Sequence, residues 1–215
     1  MMDKYDLVVF DWDGTVMDSI GRIIDSVAFA AEKLEMRQPT EQEVRDIIGL
    51  SLDIAIKQLF PEVTSEQVQL VRGAYKEFYL NQKDQALPLF PNAREFLLAL
   101  KEANKTLAVA TGKGRPGLEE ALIISETHHL FCHSRTADEA ESKPSPDMLQ
   151  QILASANIPA AKALMIGDSI HDMNMAKAAG MDRIGVSFGA HDTNKLSAAE
   201  PLMVIDDYAQ LIALL

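Results

Sequence analysis

Two carboxylates stand two residues apart, Asp11 and Asp13, in the stretch LVVFDWDGTVMDS from Leu7 to Ser19. The four apolar residues before them predict a strand buried on both faces, as in a parallel sheet covered by helices. Acidic groups at the C-terminal end of such a strand sit where open α/β sheets place their ligands. Gly14 lets the backbone turn sharply there, having no Cβ to forbid positive φ, and Asp18–Ser19 reads as a helix cap. An isolated Asp-x-Asp in a loop would read as a cap and an Asx turn. Directly behind a buried strand, and with partners elsewhere in the chain, it reads as a site.

The partners follow other predicted strands. They are Thr111-Gly112 after TLAVA, Lys143-Pro144-Ser145-Pro146 in a later loop, and Gly167-Asp168-Ser169-Ile170-His171-Asp172 after ALMI. In a parallel sheet these ends share one edge, so Asp11, Asp13, Thr111, Lys143, Asp168 and Asp172 can converge. The chemistry that fits is phosphoryl transfer. Clustered carboxylates repel one another unless a cation joins them, and oxygen ligands of this kind suit Mg²⁺. With Asp13 protonated, the charges of Asp11, Asp168 and Asp172 are balanced by one Mg²⁺ and Lys143, so a phosphate can enter. Asp11 can attack phosphorus and form an aspartyl phosphate. Asp13 can protonate the leaving alkoxide and then deprotonate water, a role worth about 10²–10⁴-fold in rate. Thr111, the Gly112 amide and Lys143 can hold the equatorial oxygens.

The elements that must position these groups follow from periodicity and caps. Apolar residues keep helical spacing from Ile20 to about Met36. Thr40 to Glu43 and Thr64 to Gln67 have capping-box form for helices reaching Ile48 and Asn81. Between them Ser51 is placed to cap a helix ending at Leu59, and Leu70, Tyr75, Phe78 and Tyr79 are assigned to the apolar side of the last one. After Pro88 and Pro91 comes a helix from Asn92 to Asn104. Strands are predicted at 106–110, 130–134, 163–166, 184–186 and 203–205. Helices are predicted at about 116–126, 146–157, 171–179 and 208–215. Repeated β-then-α units argue for a parallel sheet with right-handed crossovers.

The stretch between the first two strands is far longer than a crossover needs. One helix suffices, so residues 16–86 are expected to form an all-helical insertion, with residues 1–15 and 87–215 as a Rossmann-like α/β core. Because the insertion leaves the core beside Asp11 and Asp13, it can overhang them as a lid; a bundle decorating the sheet edge is the plainer alternative.

The chain has 215 residues, 47% of them hydrophobic, and a formal net charge of −12. Such a surface repels nucleic acid and anionic membranes. One cysteine, Cys132, excludes an internal disulfide and suits a reducing cytoplasm; it is expected as a strand residue. Met173 and Met175 are read as helix packing, and His128 and His129 as solvated loop positions and not, with His133, a metal cluster. His171 is expected near the site. Lys113 and Arg115 are left between substrate contact and surface charge.

FDWDGTVMDS, VATGK, KPSPDML and MIGDSIHDMNMAKAAG resemble, in that order, the four motifs of the haloacid dehalogenase superfamily. The resemblance covers the core from residue 7 to about 189, and the insertion point matches the family's helical cap. It implies Asp11 as nucleophile, Asp13 as acid/base, and Mg²⁺ held by Asp11, the Asp13 main-chain carbonyl and Asp168. It implies that Thr111, Gly112 and Lys143 bind phosphate, and that Asp172, with Ser169 beside it, supports the metal waters or the lysine. Within the superfamily the chain is most similar to phosphoglycolate phosphatase-like hydrolases. Gly49-Leu50-Ser51 resembles the specificity loop of that branch, so a small phosphorylated metabolite is the expected substrate of a monomer or homodimer. Asp13 sets the chain apart from the metal-free dehalogenases. Trp12, larger than the family often has there, is expected to pack against neighbouring loops. The alternatives are a sugar phosphomutase, a pyrophosphatase, or a phospho-accepting or binding protein that does not turn over.

Overall fold

The computed structural model describes residues 1–82 and 87–215. Strands β1 (Leu7–Phe10), β2 (Thr106–Ala110), β3 (His133–Arg135), β4 (Ala163–Gly167), β5 (Asp182–Val186) and β6 (Met203–Ile205) form one parallel sheet in the order β3-β2-β1-β4-β5-β6. The chain works outward from β1 to one edge, then returns to β4 and works to the other. The reversal lies at β1 and β4, where α/β sheets open a crevice for ligands. Phe10 pairs with Val109 on one side and Ile166 on the other, so the ends carrying Asp11, Thr111 and Asp168 are level.

Alternation along β1 sorts its side chains between two cores. Val8 and Phe10 join Phe96, Leu97, Leu100 and Tyr208 on one face; Leu7 and Val9 join Met148, Leu149, Ile152 and Met175 on the other. These come from α5 (Ala93–Glu102), α7 (Asp147–Ala156), α8 (Ile170–Ala178) and the segment leading into the last helix, with α6 (Arg115–Ile124) also against the sheet. The sheet is covered on both faces, as its near-continuous apolar strands require.

Before α5 come α1 (Ile20–Lys33), α2 (Glu41–Ile47), α3 (Leu52–Leu59) and α4 (Ser65–Asn81). They bury a separate apolar cluster that includes Ile23, Val27, Ile47, Ile56, Val68 and Val71. Thr40 and Thr64 make the expected capping boxes. Ser51 stands at the start of α3 without a side-chain cap bond. Leu70 is exposed, because Val68, Val71 and Ala74 already turn the other side of α4 inward. The chain leaves and re-enters the core through one neck. Asp18 N–H donates to Pro88 O, and Phe90 N–H donates to Val16 O, each at 3.0 Å. The expected boundary at Ala86 lies outside the described residues.

Several elements differ from expectation. The third strand starts at His133, not Leu130, because Leu130 turns inward in a short helical turn, His128–Leu130, to join the sheet's core. Cys132 therefore precedes the strand and is exposed. A short helix α9 (Thr193–Ser197), capped by Asp192, was not anticipated, and the last helix α10 is only Ala209–Ile212. No described helix is long and apolar enough to cross a membrane.

Candidate active site

Asp11 follows β1 and is 1% exposed. Lys143, buried just as deeply, places its Nζ 2.6 Å from Asp11 Oδ1 and 2.7 Å from Asp172 Oδ1. Asp172 is fixed by the start of α8, where Ser169 N–H and Oγ–H both donate to its Oδ2 and Ser169 Oγ caps its amide. Asp168 is held by Thr15 Oγ–H at 3.0 Å and by the Ala190 amide at 2.7 Å. Asp11, Asp168 and Asp172 each offer an oxygen within 4.8 Å of the others.

Burial, reinforced by the neighbouring negative charges, pushes Asp11 well above the usual carboxylate range. Burial followed by the Asp172 charge carries Asp168 up to about 7. For Lys143, burial works to lower the ammonium, yet Asp11 and Asp172 together hold it above its ordinary value. One lysine cannot neutralise three buried carboxylates, and Asp11 Oδ2 has no hydrogen-bond partner among the described residues. An all-oxygen donor set with an orphaned anionic oxygen fits a hard divalent cation such as Mg²⁺.

Asp13 lies apart from this trio. Its Oδ1 accepts a 2.6 Å hydrogen bond from Ser19 Oγ and lies 3.0 Å from Lys113 Nζ. Ser19, expected as a cap, makes no cap bond to α1. Its hydroxyl is turned to Asp13 instead. The Lys113 amide donates to Thr111 Oγ at 3.2 Å, and its ammonium donates to Tyr79 Oη at 3.1 Å across from α4. Burial would lower this ammonium too, but Asp13 and the two tyrosines Tyr79 and Tyr75 hold it high.

The helical unit closes directly over the expected phosphate loops. A Cβ on Gly112 would lie 2.4 Å from Leu50 O and 2.7 Å from Gly49 O, and Ser51 N–H donates to Ser142 Oγ just before Lys143. Below this contact runs a cavity of about 820 Å³, lined by Asp11, Asp13, Thr111 and Lys113 on one side and Tyr75 and Tyr79 on the other. Because backbone carbonyls cannot yield as side-chain ends do, Gly112→Ala is expected to wedge the helical unit away. KM should rise at least about tenfold, the equivalent of about 1.4 kcal/mol, with a smaller effect on kcat, as steady-state kinetics will show.

Residues 8–186 match the family model of the haloacid dehalogenase-like hydrolases. The chain belongs to that family. Among its relatives, the protein named "Probable phosphatase IndB" in Dickeya dadantii is 34% identical over 96% of this chain and 91% of its own. A phosphoglycolate phosphatase of Vibrio vulnificus is 31% identical over 96% and 94%. A solved hydrolase from Pseudomonas syringae superposes with a TM-score of 0.88 at 25% identity, covering 96% and 95% of the two chains. This haloacid dehalogenase-like hydrolase is a phosphoric monoester hydrolase.

In this hydrolase the structure brings together every residue that the motifs singled out: Asp11, Asp13, Thr111, Gly112, Lys143, Asp168, Ser169 and Asp172, with Gly49, Leu50 and Ser51 facing them. Lys113 joins them, whereas Arg115 pairs with Glu139. His171 Nε2 contacts Asp46 O of α2 at 2.9 Å, so it ties the helical unit down. Lys195 Nζ lies 2.7 Å from Asp46 Oδ1, and Arg45 donates to Gly189 O at 3.2 Å. His128 and His129 are exposed, and His133 lies on β3, within the predicted strand, beside Ser155. Trp12 packs edge-on against Phe131, and Met173 and Met175 are buried.

Sequence reasoning missed four supports. Thr15 and the Ala190 amide orient Asp168, and Tyr208 Oη–H donates to Thr15 O at 3.1 Å. The fourth is His191, buried, with Nδ1 accepting from Ile170 N–H, and lowered by burial and by Lys195 to about 4. Thr15 directly follows Asp13-Gly14 and was open to detection; a main-chain donor has no side-chain signature.

Proposed function

We propose that this hydrolase is a Mg²⁺-dependent phosphatase of a small phosphate monoester, working through an aspartyl phosphate on Asp11, with phosphoglycolate as the first substrate to test. The observation that carries the proposal is the divided environment of the two aspartates. Asp11 keeps one oxygen bound to Lys143 and one oxygen free, inside the acidic trio, while Asp13 faces the cavity with partners of its own.

Asp11 and Asp168, with the Asp13 main-chain carbonyl, would hold the ion, and Asp172 would orient its waters and Lys143. When bound, Mg²⁺ neutralises phosphate charge and keeps the carboxylates ionised. One carboxylate oxygen of Asp11 attacks phosphorus as the bond to the leaving oxygen breaks, and Asp13 delivers a proton to that oxygen. Asp13 then takes a proton from water, which attacks the same phosphorus and returns Asp11 as a carboxylate with release of phosphate. Lys143, Thr111 and the Gly112 amide hold the phosphate oxygens throughout. Residues 16–86 act as the cap domain on a core of 1–15 and 87–215, with Gly49-Leu50-Ser51 facing the substrate. The separate apolar cluster of α1–α4 and the narrow neck support that division. A cytoplasmic setting fits the free, exposed Cys132 thiol, and the net charge of −12 disfavours nucleic acid.

Phosphate release from an aryl phosphate and from a panel of metabolite phosphates, with Mg²⁺ and with chelator, tests the proposal. Turnover that chelation abolishes is expected. No turnover across the panel, or turnover indifferent to chelation, would overturn it. Asp13→Asn sharpens the test. Alkyl phosphates should slow by about 10²–10⁴-fold, whereas p-nitrophenyl phosphate, whose leaving group needs no proton, should slow far less.

A further inference from the structure

The phosphate chemistry uses Lys143 and leaves a second sequestered ammonium unassigned. The Lys113 side chain is 12% exposed, as is that of Asp13. It follows Thr111-Gly112 immediately, and its amide is pinned to Thr111 Oγ, so its stem starts beside the expected phosphate site. Its ammonium reaches Asp13 Oδ1 at 3.0 Å and Tyr79 Oη at 3.1 Å, and lies 4.7 Å from the centroid of the Tyr79 ring. Tyr79 stacks on Tyr75 at 5.8 Å, and both line the cavity.

Three features point beyond a role confined to Asp13. Ser19 and Lys113 both engage Oδ1 of Asp13. That leaves Oδ2 to meet the leaving group, so the ammonium stands beside the proton-transferring carboxylate, not across the site from it. A hydroxyl from α4 also draws it toward the cavity, so the cation is shared between the core and the helical unit. Finally, the acidic trio, Lys143 and a divalent ion already balance one another, so Lys113 is not needed to offset the trio. A cation held beside the leaving oxygen, out of bulk solvent, is suited to an anion carried by the leaving half of the substrate.

We propose that Lys113, positioned by Tyr79, is a specificity-determining residue that binds a carboxylate on the leaving group, so that the preferred substrates are phosphorylated hydroxy acids. The proposal rests on the phosphatase reading above and deepens it. A leaving group that meets Asp13 stands next to the Lys113 ammonium, which lies 3.0 Å from Asp13 Oδ1, and the cavity of about 820 Å³ admits hydroxy acids well beyond two carbons.

The test compares a phosphorylated hydroxy acid with its matched amide, equal in size and uncharged, as substrates of wild type, Lys113→Gln, Lys113→Arg and Tyr79→Phe. The quantity read is the ratio of kcat/KM for acid over amide. Wild type should favour the acid by about tenfold to a hundredfold, the range of a charge-assisted hydrogen bond. Lys113→Gln should bring the ratio close to one, chiefly through KM of the acid. Lys113→Arg should keep most of it, and Tyr79→Phe should lower it partway. If Lys113 only positions Asp13, Lys113→Gln slows acid and amide alike and leaves the ratio unchanged, which overturns the inference. A wild-type ratio near one overturns it too. Failure of the wild type to hydrolyse either compound, or any monoester of the wider panel, removes the phosphatase reading itself.

Discussion

Asp11→Asn is expected to reduce phosphate release by about four orders of magnitude or more, the scale of losing a covalent nucleophile. Asparagine fills the same space and can still accept from Lys143, so the loss is chemical and not structural. The metal-free variant should unfold at a higher temperature than metal-free wild type near neutral pH, because one of three crowded carboxylates has been removed. The pH dependence of wild type supplies the control. Folded Asp168 holds its proton up to about 7, against 3.8 as its ordinary value, and Asp11 is raised in the same direction. Between those limits the folded state binds more protons than the unfolded state, so stability falls as pH rises. Metal-free wild type should therefore gain stability when acidified from 7 toward 4, and Asp11→Asn should gain less. A variant that retains turnover, or a flat wild-type profile in that window, contradicts the assignment.

Lys143→Met is expected to combine loss of turnover with the largest loss of stability of any single change at the site. The ammonium is fully buried between Asp11 and Asp172, and breaking such a pair from one side leaves uncompensated charge, typically costing about 3–5 kcal/mol. Denaturant unfolding of the metal-free variant should show a lower midpoint at an unchanged slope. Added Mg²⁺ should restore part of the loss, because a ligand that binds the folded state stabilises it by mass action. A midpoint equal to that of wild type without metal would mean that the trio is not ionised around the lysine.

Much of this was legible in the sequence, for reasons that differ residue by residue. Asp11, Thr111 and Asp168 each end an apolar run, and level strand ends in a parallel sheet bring such positions together whatever lies between. Thr40 and Thr64 were readable because a capping box is a local device, complete within four residues. Ser19 was misread for the same reason. Its type and place satisfy a cap, and only the tertiary fold shows Asp13 to be the stronger claimant for its hydroxyl. Lys113 could not be decided alone, since Tyr79 comes from α4 and Asp13 from the loop after β1. Leu130 read as strand because it is apolar, yet its burial comes from a helical turn. The Ala190 amide on Asp168 left no trace, because every residue but proline has one.

The contact between Gly112 and the loop at Gly49–Leu50 is made by main-chain carbonyls on the helical side, and the neighbouring contact to Ser142 uses the Ser51 amide. How the two halves meet is thus written in backbone, while what the loop shows to a substrate is written in side chains. The two can drift separately. A library that varies Ser51 and Leu52 while keeping Gly49 and Gly112 should yield enzymes that shut alike and choose differently, a cheap route by which one scaffold acquires many clients.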